Sequence, residues 1–180
     1  EKALMSEPQS IPAINKIVLT HLKLKQSESA LSFCNNQIKA HKDNPDLQSF
    51  VYNLQGNVFL AQNSFQQAEQ SFKTALEIKP EWKIPYLQLA RIYQATDRIN
   101  EAIEQYETIQ SQDPDFIPVL MTLGVLHQKQ GTTLKAREYY EKCLEIDENF
   151  TPAANNLAYI ILESEGNIDR ALSLAQNAKR

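Results

Sequence analysis

The residues best able to do acid–base or metal chemistry are His21, His41 and His127, and those best able to act as nucleophiles are Cys34 and Cys143. The three histidines lie far apart in the chain. None has a cysteine or carboxylate at metal-ligand spacing, and the two cysteines form no C-x-x-C pair. A thiol on the apolar face of a helix behaves as a small hydrophobe, which is what we expect of both. No G-x-S-x-G nucleophile elbow occurs. The four glycines, Gly56, Gly124, Gly131 and Gly166, do not cluster into a phosphate-binding loop. The glutamates Glu101, Glu104 and Glu107, like Glu138, Glu141 and Glu145, read as solvated helix faces. The expectation is therefore a protein that is not an enzyme and has no cofactor or metal.

Composition points the same way. The chain has 180 residues, 42% of them hydrophobic, and a formal net charge of −4. That mild acidity offers nothing to nucleic acid or an anionic membrane. Apolar runs such as Leu157 to Leu162 are too short to span a bilayer, so no membrane insertion is expected within this chain. The first ten residues lack the apolar core of a signal peptide. The compartment stays open.

The positioning elements follow from an internal period. Ala68, Ala102 and Ala136 are 34 residues apart, as are Phe72, Tyr106 and Tyr140. Gly56, Ala90 and Gly124 repeat at the same interval, and so do Pro80 and Pro114. Within one period the apolar spacing is helical twice. Ile84, Leu87, Ala90, Ile92 and Tyr93 mark one helix and Ala102, Ile103, Tyr106 and Ile109 a second. Thr96-Asp97-Arg98 lies between them, and Pro114 ends the second. The small residues belong where two helix axes come close. Pro12, Pro85, Pro118 and Pro152 suit first helical turns, and Thr151 suits an N-cap.

These columns resemble the tetratricopeptide repeat family, whose unit is a 34-residue helix–turn–helix. Residues 83–116 carry the resemblance best, at Tyr86, Leu89, Ala90, Tyr93, Ala102, Tyr106 and Pro114. Residues 49–82 match at Tyr52, Gly56, Ala68, Phe72, Ala75 and Pro80, but have Gln55 where the family has Leu. Residues 117–150 match at Leu123, Gly124, Ala136 and Tyr140, with His127 in the Tyr column and Glu148 in the Pro column. Residues 151–180 match at Leu157, Ala158, Ala171 and Ala178, and residues 11–48 diverge most, with Ala30 as anchor. His21 shares the column of His127, and both are expected to pack with a hydrogen-bond partner.

The resemblance implies an all-α, right-handed superhelical solenoid of about five hairpins, over residues 11–43, 46–80, 82–114, 116–148 and 151–179. One array would cover 11–180, with 1–10 the remnant of a preceding repeat. The closing segment, Asn155 through Leu172, looks like parts of long bacterial repeat proteins. Some of those belong to exopolysaccharide export and PEP-CTERM sorting systems. A longer bacterial-type array is thus expected, with Ile14, Ile17, Val18 and Leu31 at one apolar end and Ile168, Leu172 and Leu174 at the other. Weak homodimerisation through such ends would follow.

In this family the first helices line a concave groove. That implies a peptide-binding face at Asn53, Asn57, Gln88, Arg91, Gln94, Met121, Val125, Gln128, Asn155 and Tyr159. Carboxamides both donate to and accept from a peptide backbone, and the apolar members could anchor a segment. The same residues could equally do no more than solvate an inner face. Arg91 is the basic residue in the central part and would favour an acidic group. The family's clamp for C-terminal carboxylates is not expected, because Pro118 and Thr122 stand where bases are needed. The expected partner is a protein or peptide. The alternative is a structural spacer or self-association segment of a larger protein.

Overall fold

The computed structural model describes residues 10–177, with side chains described to 173 except at Glu165 and Arg170. It is all-α, with no strand among the described residues. Ten helices run in order: α1 (Ile11–Lys23), α2 (Ser27–Ala40), α3 (Pro45–Ala61), α4 (Phe65–Ile78), α5 (Lys83–Ala95), α6 (Ile99–Gln112), α7 (Ile117–Lys129), α8 (Thr133–Ile146), α9 (Thr151–Glu165) and α10 (Ile168–Asn177). They divide into two compact units, residues 1–96 and 97–180. In the first, α1 to α5 pack each on the next; in the second, α6 to α10 do. The residues expected to form the remnant repeat, Glu1 to Pro8, and the side chains of Leu174 and Ala178 lie outside the described part.

The helices end where the backbone is allowed to turn. Lys25, Asn63, Asp97, Gly131 and Gly166 all have φ between 57° and 74°. Three of them, Asn63, Asp97 and Gly131, lie one period apart. Asn, Asp and Gly adopt this left-handed conformation at least cost. Ser64 N–H donates to Phe59 O (2.9 Å) and Asn63 N–H to Leu60 O (2.9 Å). Thr132 to His127 (2.9 Å) and Gly131 to Gln128 (3.0 Å) repeat the pattern. Each pair closes a helix carboxyl end in a Schellman motif. The longer turns also repeat: Trp82 N–H donates to Lys79 O, Phe116 to Asp113 and Phe150 to Asp147, at 3.0 to 3.2 Å. Pro80 and Pro114 force the residue before them to be extended. Asp147 has the same backbone, φ −137° and ψ 99°, in front of Glu148, so the turn survives without proline.

Close helix approach fixes the small-residue columns. A Cβ added at Gly56 would stand 2.6 Å from the Phe72 ring, and one at Gly124 would stand 2.4 Å from Tyr140. Ala68, Ala102 and Ala136 are fully buried. In the first unit the core joins Ile14, Val18, Ala30, Cys34, Leu47, Val51, Leu54 and Val58. In the second it gathers Leu120, Tyr140, Cys143, Leu157, Ile160 and Ile161 among others.

Two expectations change. Ile14 and Val18 are fully buried, because α2 and α3 cover the face that was expected to be bare. Ile17 and Leu31 are half-buried. Thr151 is the first residue of α9, and Phe150 precedes it as N-cap. The side-chain cap instead occurs at Asn44, which accepts from Leu47 N–H at 3.1 Å in front of Pro45. Tyr86 is half-buried, while Leu89 and Tyr93 take the enclosed positions of α5.

Candidate binding faces

In the first unit the candidate residues sit on α3 and α5. A helix advances 100° per residue, so once Leu89, Ala90, Ile92 and Tyr93 turn inward, Gln88, Arg91 and Gln94 occupy the remaining arc of α5. Gln88 and Gln94 are half-buried and Arg91 is exposed. On α3, Asn57 is half-buried but Asn53 is only 5% exposed, and its Oδ1 accepts no hydrogen bond from the described residues. Asn53 is thus enclosed where the sequence reading expected an open groove residue. Around it the interior is unusually polar. Ser49 Oγ donates to Ala75 O at 2.9 Å. Gln55, the departure from the family's Leu, donates to Asn35 Oδ1 at 2.9 Å, and Ser71 Oγ, 3.3 Å from Gln55 Oε1, donates at shorter range to Gln67 O, at 2.9 Å. A polar residue in that column is tolerated because Gln55 is only half-buried and reaches the exposed Asn35.

In the second unit Met121 and Val125 pack partly against the core, and Asn155 and Tyr159 are exposed. Gln128 is half-buried and already engaged: its Oε1 accepts from Tyr140 Oη–H at 2.9 Å. Tyr159 donates to Glu163, one turn along α9.

His127 behaves as the sequence suggests, and in detail. Thr132 Oγ donates to His127 O (2.9 Å) and lies 3.0 Å from His127 Nδ1. With its own proton committed, that hydroxyl can only accept from Nδ1–H. Nε2 is buried and has no hydrogen-bond partner among the described residues, which disfavours a second proton on the ring. Burial pushes its pKa below 6.5; Lys135 adds to the shift, while Glu107 and Glu138 oppose it. Tyr139 stacks on the ring at 5.5 Å. His21 makes the matching contact in its own turn, 3.0 Å to Gln26 Oε1. Both rings make their contacts within turns.

The thiols are equally quiet. Burial pushes Cys34 up to about 12 and Cys143 up to about 11, far from the range of a reactive thiolate. Among the described residues no three His, Cys, Asp or Glu side chains gather as metal ligands, and no helix is long and apolar enough to cross a membrane.

Sequence reasoning missed one site. Phe50 and Trp82 stack with centroids 6.2 Å apart and, with Ile11, Asp46 and Lys79, line a cleft of about 320 Å³ in the first unit. The aromatic column Trp82, Phe116 and Phe150, at the 34-residue period, was the available signal.

Comparison with known proteins agrees with the repeat. Residues 59–124 and 117–150 each match a tetratricopeptide repeat profile. No curated protein matches the sequence. Solved structures do. The fold resembles that of MamA, with TM-score 0.71 and 19% identity over 91% of this chain and 92% of that one. It also resembles a tetratricopeptide repeat protein from Parabacteroides merdae, with TM-score 0.75 and 20% identity over 92% of this chain and 64% of that one. YrrB, described as a TPR protein with an unusual peptide-binding site, gives 0.69 and 16% over 98% and 89%. At such identities the likeness shows the fold alone.

Proposed function

Because this chain belongs to the tetratricopeptide repeat family, whose fold is generally a non-catalytic scaffold for protein–protein interaction, we propose that its first-helix faces hold a peptide segment of a partner protein. Asn53 carries the reading. A buried amide oxygen without a donor costs about 1–3 kcal/mol, and the backbone N–H of a bound segment is a donor of the required kind, reached by a change of rotamer. Asn57, Gln88 and Gln94 supply further donors and acceptors on the same helices, and Arg91 an exposed charge for an acidic group. Taken by itself, the second unit offers a separate candidate face, with Met121, Val125 and Tyr159 for apolar contact and Gln128 and Asn155 for hydrogen bonds. YrrB shows that this fold can carry a peptide site.

The test begins with a pull-down from the native host and mass spectrometry, followed by titration of the recovered segment. Asn53→Leu should leave the melting temperature unchanged or raise it, and should weaken binding. Arg91→Glu should weaken binding at an unchanged melting temperature. Full affinity in both variants would move the site elsewhere.

A second reading, self-association, is favoured by one observation. Tyr159, Leu162, Ile168 and Leu172 are each about half exposed or more, from 47% to 66%. Exposed large apolar side chains on two successive helices favour association. Light scattering over a wide concentration range checks it: a constant monomer mass would remove this reading.

A further inference from the structure

The cleft between the start of α1, the first turns of α3 and the α4–α5 turn has the makings of a second docking site. Three of its five lining side chains are large and apolar: Ile11, Phe50 and Trp82. Ile11 is 38% exposed, and both rings are half-buried, so an apolar wall meets solvent. The other two lining residues are one base and one acid. Lys79 Nζ lies 2.5 Å from Asp46 Oδ1, and the two side chains keep 36% and 72% of their surface. An ion pair that exposed contributes little to stability, so re-aiming it costs little.

The set is peculiar to this position. One repeat later the equivalents of Asp46, Phe50, Lys79 and Trp82 are Pro80, Ile84, Asp113 and Phe116. Neither the ammonium nor the second ring is present there. The repeat needs an aromatic at the turn; it does not need this cleft.

We propose that the cleft binds an extended, locally uncharged peptide segment of a partner protein through one aromatic or branched aliphatic side chain. The side chain enters beside Phe50 and Trp82, where an aromatic wall gives the most contact per residue. The backbone of the segment crosses the ion pair: Lys79 donates to its carbonyl and Asp46 accepts from its N–H. One acid and one base side by side match the N–H and C=O that a single residue of an extended segment presents on the same side, and they disfavour a ligand with net charge of either sign. About 320 Å³ is at the lower end of small-ligand pockets, which suits one side chain rather than a folded element.

Trp82 is the only tryptophan, so its emission reports on the cleft directly. The intact chain is titrated with N-acetyl-phenylalanine methylamide and N-acetyl-leucine methylamide, with N-acetyl-glycine methylamide as control. Saturable shifts are expected for the first two, with Kd on the order of millimolar for so small a ligand, and none for glycine. Phe50→Ala should weaken binding about tenfold, the loss of one aromatic wall. Lys79→Gln, on the surface, should weaken it about threefold at an unchanged melting temperature, and serves if Phe50→Ala does not fold. Asn53→Leu should leave this titration unchanged, which separates the cleft from the first-helix face. A response that fails to saturate, a glycine response equal to phenylalanine, or loss of the signal in Asn53→Leu overturns the proposal. An emission shift on diluting the protein alone assigns the cleft to a second copy and overturns it too.

Discussion

The hairpins α3–α4 and α7–α8 solve the same packing problem with different chemistry. Each sets a glycine against an aromatic ring sixteen positions later, Gly56 against Phe72 and Gly124 against Tyr140. In α7–α8 the ring carries a hydroxyl, tied to Gln128. In α3–α4 the ring is bare, and polarity appears elsewhere, at Ser49, Asn53 and Ser71. The repeat column dictates volume at the closest approach of two helices. It does not dictate where the polar atoms go. That freedom is where two copies of one repeat can acquire different partners.

The largest effect should come from removing a ring. Phe72→Ala and Tyr140→Ala each open a cavity in a fully enclosed position, at about 3–5 kcal/mol by urea denaturation. Losses below about 1 kcal/mol would mean that the ring columns do not hold the hairpins together.

Adding a methyl should separate the two hairpins. Gly124→Ala forces a Cβ against a ring anchored at its hydroxyl, and should cost about 1–3 kcal/mol by overpacking. Phe72 has no such tether and can give way, and alanine gains up to about 1 kcal/mol of helix propensity over glycine. Gly56→Ala should therefore cost less than Gly124→Ala. The reverse order would show that the hydroxyl contact does not restrain Tyr140.

Removing only the tether is a smaller change. Tyr140→Phe should cost about 0.5–1.5 kcal/mol, and in the Tyr140→Phe background Gly124→Ala should approach the cost of Gly56→Ala. A double-mutant cycle measures that coupling.

The mildest effect is a pH dependence confined to the second unit. The folded pKa of His127 is lowered from 6.5, chiefly by burial. The unfolded chain then binds the proton more readily, so this contribution to stability is complete above pH 6.5 and declines as pH falls through 6.5 toward the folded value. Melting temperatures across that window should fall more in the parent chain than in His127→Gln, which cannot charge. Parallel curves would place the titration elsewhere.

Much of the fold was legible because packing is periodic. The 34-residue columns place Ala68, Ala102, Ala136, Phe72 and Tyr140 in the interior, and all five are enclosed. The turn residues Asn63 and Asp97 were legible in principle, since a residue type that tolerates positive φ recurs with Gly131 at the same period. Lys25 was not, because nothing local in a lysine announces that conformation. On the candidate faces Gln88, Arg91 and Gln94 stay within reach of solvent as the helical arc predicts.

What the order of residues determined, then, is everything that depends on spacing along one helix or one repeat: the ten helices, the glycine–aromatic contacts and the paired turn histidines. Only the tertiary structure decided that Asn53 is enclosed while Asn57 is not, that α2 and α3 cover Ile14 and Val18, and that Trp82 stacks on Phe50 with Lys79 reaching Asp46. The physical reason is that a helix sets which way a side chain points every 3.6 residues, whereas its exposure depends on which neighbouring helix covers it, and that is fixed by contacts between residues far apart in the chain.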